Sequence, residues 1–162
     1  MGQSVDMSFH TDFEKWKEQS KKENCPVCND EEMPEGMEDL YEAGYTWLNA
    51  EPVECIKGAC HVTAKFHAIE LYDLSDEQLM GFMKEVQVYA EALKNVTDAV
   101  KINYEIHGNT LPHFHLHLYP RYRDDPFPGQ PIDYNDKSDQ YKEGEFEEFV
   151  ENLKNEIDKI QK

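Results

Sequence analysis

His113-Phe114-His115-Leu116-His117-Leu118-Tyr119 sets a histidine at every second position, each followed by a bulky apolar residue. On a β-strand successive side chains point to opposite faces. The alternation therefore puts three imidazoles on one face and Phe114, Leu116 and Leu118 on the other. The apolar face fastens the strand to a core. The imidazole face gathers groups that titrate or bind metal near neutral pH. One strand histidine is ordinarily a satisfied core or surface residue, but three in strict alternation point to a reaction centre or a metal site.

Just before this stretch, Lys101–Ile106 and Leu111–Tyr119 read as a hairpin pair around His107-Gly108-Asn109, with Gly108 free to take positive φ. Just after it, Pro120, Pro126, Pro128, Gly129 and Pro131 make residues 120–140 irregular, and so long a loop beside a reactive strand reads as a functional flap. The chain's only two arginines, Arg121 and Arg123, lie there. They are read either as a phosphate clamp or as solvated loop charges.

Further out, Ser75 caps a helix start and Gln78 stands where it can reciprocate. Leu79, Phe82, Met83, Val86, Ala90, Leu93 and Val96 continue at helical spacing as a core-facing stripe. A closing helix over 145–161 carries Phe146, Phe149, Val150, Leu153, Ile157 and Ile160 on one face. Upstream, strands are expected near 44–50 and 59–65, the second alternating Cys60, Val62 and Ala64. Thr11 to Lys22 reads as a short polar helix with Phe13 and Trp16 together, followed by an acidic loop containing Pro34 and Gly36. Residues 1–10 read as a disordered lead-in. Residues 11–162 are expected to form a single α+β domain, a mainly antiparallel sheet of about five strands with helices packed on it.

At 162 residues with a net charge of −18, the chain is a poor match for nucleic acid backbones or anionic membranes. No apolar run approaches the ~18 residues of a membrane span, and the N-terminus lacks a signal-peptide core. Met1-Gly2 suggests myristoylation, but Asp6 stands where Ser or Thr is wanted. A cytoplasmic location is expected. Four cysteines without a secretory signal then read as thiols or metal ligands rather than disulfides. Cys25-Pro26-Val27-Cys28 has the spacing of a zinc-binding pair. Two further ligands are needed, and on spacing alone they are either Cys55 and Cys60 or histidines.

The stretch His113 to Tyr119, followed by Pro120-Arg121 and preceded by Gly108-Asn109-Thr110-Leu111-Pro112, resembles the signature of the histidine triad superfamily of nucleotidyl hydrolases and transferases. Ala64-Lys65-Phe66-His67 is similar to that family's Pro-Lys-x-His segment, so the resemblance covers about residues 23–123. The tail Pro120 to Gly129 is similar to a microbial subset. The resemblance implies that His115 attacks the α-phosphorus of a nucleotide conjugate and forms a nucleotidyl-histidine that is then hydrolysed. It implies that the carbonyl of His113 holds the second ring nitrogen of His115, and that His117 donates to a nonbridging phosphate oxygen. Asn109 and Thr110 match polar phosphate contacts, with Asn49 and Asn103 as weaker ribose or phosphate candidates.

Zinc-bearing members of the family complete a cysteine pair with two histidines. The resemblance thus implies a structural zinc on Cys25, Cys28, His67 and His113, with no catalytic metal. It also implies a homodimer and a small nucleotide substrate, such as a dinucleoside polyphosphate or a nucleoside phosphoramidate. Two rival readings stand beside it. One is a nucleotide-binding or interaction module with weak or no turnover. The other is a metal-dependent hydrolase in which all three strand histidines hold one ion, which their span of about 13 Å disfavours.

Overall fold

A computed structural model describes residues 9–29 and 37–162. The acidic loop with Pro34 and Gly36 and most of the expected lead-in lie outside the described residues. Five strands form one sheet: β1 (Glu38–Glu42), β2 (Thr46–Ala50), β3 (Cys60–Ala64), β4 (Lys101–Glu105) and β5 (His115–Arg121). Their order is β1-β2-β3-β5-β4, and every neighbouring pair is antiparallel. With helices α1 (Phe13–Gln19), α2 (Asp76–Thr97) and α3 (Glu145–Ile160), the fold is α+β.

The register divides the sheet into a core face and a polar face. Tyr41, Leu48, Val62 and Leu116 lie opposite one another across four strands. They meet Phe82, Val86, Tyr89 and Leu93 of α2 and Leu153 and Ile157 of α3 in the main core. Each large apolar side chain taken from water there contributes about 1.5–3 kcal/mol. Asp39, Asn49, His61, His117 and Glu105 form a second row through all five strands. Opposed residues share a face, so this row lies on the side away from α2 and α3. One extra residue in β1, between Asp39 and Tyr41, keeps Asp39 in the polar row while Tyr41 reaches the core.

Ser75 and Gln78 form the reciprocal cap of α2. Gly81 is required in its second turn because the Tyr45 ring lies 2.5 Å from where a Cβ would stand. α3 begins and ends within one residue of expectation. Three details differ from the sequence reading. The first helix is shorter: Asp12 accepts from the Lys15 amide at 3.0 Å and starts it at Phe13. Lys22–Asn24 form a separate 3-10 turn. Strand β1 was not expected at all, because Glu-Asp-Leu-Tyr-Glu carries little apolar signal and is an edge strand specified by pairing with β2.

A fourth difference bears on the site. The hairpin is not tight: residues 106–114 separate β4 from β5, and the strand starts at His115, not Leu111. Pro112 has no amide to give a ladder. The next two amides are spent elsewhere, His113 on the Leu111 carbonyl (2.9 Å) and Phe114 on the Ala68 carbonyl (2.7 Å). At the other end β5 runs on through Pro120, past Leu118, the last residue that β3 pairs.

Candidate active site and metal centre

The alternation along 113–119 survives although its first histidine leaves the ladder. Phe114, Leu116 and Leu118 are buried in the core. His115 and His117 open into a cavity of about 460 Å³ lined also by Glu51, His61, His107, Tyr134 and residues 108–111. Gly108, at φ +78°, makes the turn that brings this loop over the strand, and its carbonyl accepts from Trp16 Nε1 of α1 at 3.0 Å.

His115 Nδ1 lies 2.6 Å from the His113 carbonyl oxygen. A carbonyl can only accept, so Nδ1 carries the proton and Nε2 keeps its lone pair. Burial holds the His115 imidazole below its ordinary pKa, which favours the neutral ring. His117 Nδ1 lies 3.2 Å from the Tyr119 hydroxyl. Burial first, then the positive charge of His61, His115 and His107, pushes His117 down to about 2. Its ring packs against His61 at 4.7 Å, His115 at 5.0 Å and His107 at 5.3 Å between centroids. Glu54 holds His61 Nε2 at 2.6 Å, and Glu105 holds His107 Nε2 at 2.9 Å.

His113 itself is 1% exposed. Its Nδ1 points at Cys25 Sγ (3.3 Å) and Cys28 Sγ (3.9 Å), and His67 Nδ1 lies 3.4 Å from Cys28 Sγ. All four ligand atoms fall within 4.8 Å of one another. A tetrahedral ion with ordinary Zn–S and Zn–N bonds separates sulfur from nitrogen by about 3.6 Å, close to these spacings. Both imidazoles give Nε2–H to a backbone carbonyl, His67 to Ser20 (3.0 Å) and His113 to Ala64 (2.8 Å). That leaves both Nδ1 lone pairs facing the thiols, the tautomer a metal needs. The donor set fits zinc. Cys55 and Cys60 are buried elsewhere, where burial raises both thiols, Cys55 to about 11.

Residues 46–124 match the family model of the HIT domain, the histidine triad. Over that stretch the chain is similar to HIT-domain proteins. No curated protein matches it, but solved structures do. A histidine triad protein from Bradyrhizobium japonicum superposes with TM-score 0.69 at 22% identity, covering 76% of this chain and 92% of its own. A zinc-bound histidine triad family protein from Mycobacterium smegmatis gives TM-score 0.62 at 21% identity, covering 87% and 98%. A Plasmodium falciparum diadenosine triphosphate hydrolase, solved with cyclomarin A, gives 0.54 at 16%, covering 80% and 79%. At these identities the likeness is one of fold.

Within residues 46–124, Asn109 and Thr110 line the cavity with His115 and His117. Asn49 and Asn103 do not. Asn49 is 1% exposed and gives its amide to Asp39 Oδ1. Asn103 Oδ1 accepts from Arg121 Nη1 at 2.9 Å, beside a different cavity. Arg121 is no phosphate clamp: its guanidinium grips both oxygens of Asp125 (2.8 and 3.0 Å) and the carbonyls of Phe127 and Gln130. Arg123 is exposed. The loop it belongs to buries Phe127 and Ile132 beside Tyr119. It also brings the Tyr134 hydroxyl to Glu105 (2.8 Å) and onto His107.

Sequence reasoning missed His61, His107, Tyr134, Glu51, Glu54 and Glu105. Only His61 left a signal, because a strand read as Cys60, Val62 and Ala64 inward must turn His61 and Thr63 to the other face. Among the described residues no helix is long and apolar enough to cross a membrane.

Proposed function

We propose that this chain cleaves nucleotide conjugates at the α-phosphate through a covalent nucleotidyl-histidine on His115. The observation that carries the reading is the partner each ring has at Nδ1, a carbonyl for His115 and a hydroxyl able to donate for His117. With Nδ1–H given to the His113 carbonyl, His115 presents a bare Nε2 to the cavity as the nucleophile. With the Tyr119 hydroxyl donating to its Nδ1, His117 carries its proton on Nε2 and donates to a nonbridging oxygen as charge develops. Asn109 and Thr110 supply further polar contacts. Splitting the displacement in two lets water, or a second acceptor in a transferase, enter from the side the first leaving group vacates.

Cys25, Cys28, His67 and His113 would hold zinc, which when bound supplies a structural cross-link rather than a Lewis acid. His113 then serves by its ring in the metal centre and by its carbonyl in the active site. A catalytic ion on all three triad histidines is disfavoured by direction: His113 Nδ1 faces the thiols while His115 Nδ1 faces a carbonyl. Substrates in keeping with the reading are dinucleoside polyphosphates, among them diadenosine polyphosphates, and nucleoside phosphoramidates. Thiols held for a metal suit the reducing cytoplasm. Edge strand β4 exposes Tyr104, with Ile106 exposed just beyond it, and α2 exposes Met80 and Met83, in keeping with a homodimer.

The test is stereochemical. Turnover of a nucleotide phosphorothioate chiral at the α-phosphorus gives net retention if two in-line displacements occur, and an acid-labile nucleotidyl adduct on His115 is trapped. Inversion means direct attack by water and overturns the covalent reading. Absence of turnover across both substrate classes would favour a binding module.

A further inference from the structure

The reading above leaves the departing group without a proton. His115 shares its Nδ1 proton with a carbonyl and His117 spends its Nε2 proton on a phosphate oxygen. A third imidazole stands beside them. His61 faces His117 directly across the β3–β5 ladder, its ring is the nearest of the three around His117, and it lines the same cavity.

We propose that His61, oriented by Glu54, is a further catalytic residue: it gives a proton to the group leaving the α-phosphorus and takes one from the entering water. This rests on the reading of His115 as nucleophile. The Glu54 carboxylate sits 2.6 Å from His61 Nε2, with the two side chains only 11% and 15% exposed. A carboxylate there fixes the orientation of the ring. Nδ1 is left as the nitrogen for the reaction. Burial works against the charge on Glu54, yet the hydrogen bond and charge of His61 prevail and hold the carboxyl below its ordinary range. His107 has a carboxylate too, but its Nε2 is shared between Glu105 and Tyr134, it lies on a loop, and its side chain is twice as open, 31% against 15%.

The bonds balance in both steps. As His115 Nε2 bonds to phosphorus, the bond to the leaving nitrogen or oxygen breaks, its electron pair stays on that atom, and the His61 Nδ1 proton joins it. In the second step water bonds to phosphorus, its proton passes to His61 Nδ1, and the P–N bond to His115 breaks. The charged and titratable groups around His61 are Glu51 and Glu54 before β3, His115 and His117 on β5, and His107 in the same cavity.

The test compares two substrates of one nucleotide, the adenosine 5′-phosphate p-nitrophenyl ester, whose leaving group needs little help, and an alkyl phosphoramidate, whose amine departs only with a proton. His61→Gln should lower kcat on the amidate by about 10²–10⁴-fold, and at least ten times more than on the ester. Glu54→Gln should likewise lower kcat on the amidate more than on the ester, and His107→Gln should not discriminate the two substrates. Equal losses on both substrates overturn the assignment and leave the nucleophile intact. A wild type inert to both substrates, with no His115 adduct, fails the proposed function itself, and the role of His61 falls with it.

Discussion

His115 and His117 are the same residue type two positions apart on one strand, yet their partners make them chemically opposite. A carbonyl at 2.6 Å leaves one with a bare Nε2, and a hydroxyl at 3.2 Å that can donate to Nδ1 suits the other to the proposed role of Nε2 donor. Replacing His115 by Asn keeps approximate shape while removing the nucleophile, so kcat should fall by several orders of magnitude with nucleotide affinity, read by calorimetry, largely kept. Replacing His117 by Ala removes one transition-state hydrogen bond, and kcat should drop by about 10²–10³-fold in single-turnover assays. Tyr119→Phe should produce a smaller loss of the same kind, since it frees the His117 tautomer without deleting the ring. Losing binding rather than chemistry in any of the three would contradict these roles. The common face of His115 and His117 was open to a sequence reader because it depends on alternation alone, while their separate roles were implied only by the family resemblance. The neighbours His61 and His107 of His117 were not open to that reader, because they come from two other segments.

At the scale of elements, a short N-terminal segment and a long covering loop are each tied down by one cluster. Cys25 and Cys28 meet His67, just beyond β3, and His113, just before β5. Elemental analysis should find one zinc per chain, and Cys25→Ala should lower both zinc content and the melting temperature. Full zinc retention in a Cys25→Ser/Cys28→Ser double variant would sink the assignment. The covering loop hangs on Arg121 and Asp125, whose side chains are 13% and 4% exposed. Arg121→Ala should cost about 1–3 kcal/mol in urea unfolding at neutral pH. The hydrogen bond from Arg121, above all, holds Asp125 below its ordinary pKa of 3.8. A depressed carboxyl stabilises the fold above its unfolded pKa and loses that contribution as pH falls through the folded one. The difference between wild type and Arg121→Ala should therefore be full at pH 5–7 and shrink below pH 3.8. A gap that stays constant down to pH 2 would mean that the clamp is not ionic. Both arginines were visible in the sequence, but which of them works, and on what, depended on a loop with no periodicity to read.

For the whole molecule, α2 and α3 cover one face of the sheet and leave the other to a polar row that crosses all five strands. The exposed Tyr104, Ile106, Met80 and Met83 suit association of two copies, and light scattering at micromolar concentration should give twice 19.0 kDa. A mass of 19.0 kDa there would refute the dimer, and Tyr104→Glu should shift a dimer toward monomer. The sequence by itself determined what is periodic or contiguous: the alternating histidine strand, the capped helix from Ser75, the apolar stripe of α3, the cysteine pair. Those signals are local, because a 3.6- or 2-residue period and a two-residue ligand spacing are set by backbone geometry alone. Only the tertiary structure decided that β1 exists, that His113 leaves the ladder to face two thiols 85 and 88 residues away, that Asn49 and Asn103 turn from the cavity, and that His61 and Glu54 stand beside His117. Each of these is set by cross-strand register and by loops whose hydrogen bonds close over long separations, and no period in the chain encodes which residues those will bring together.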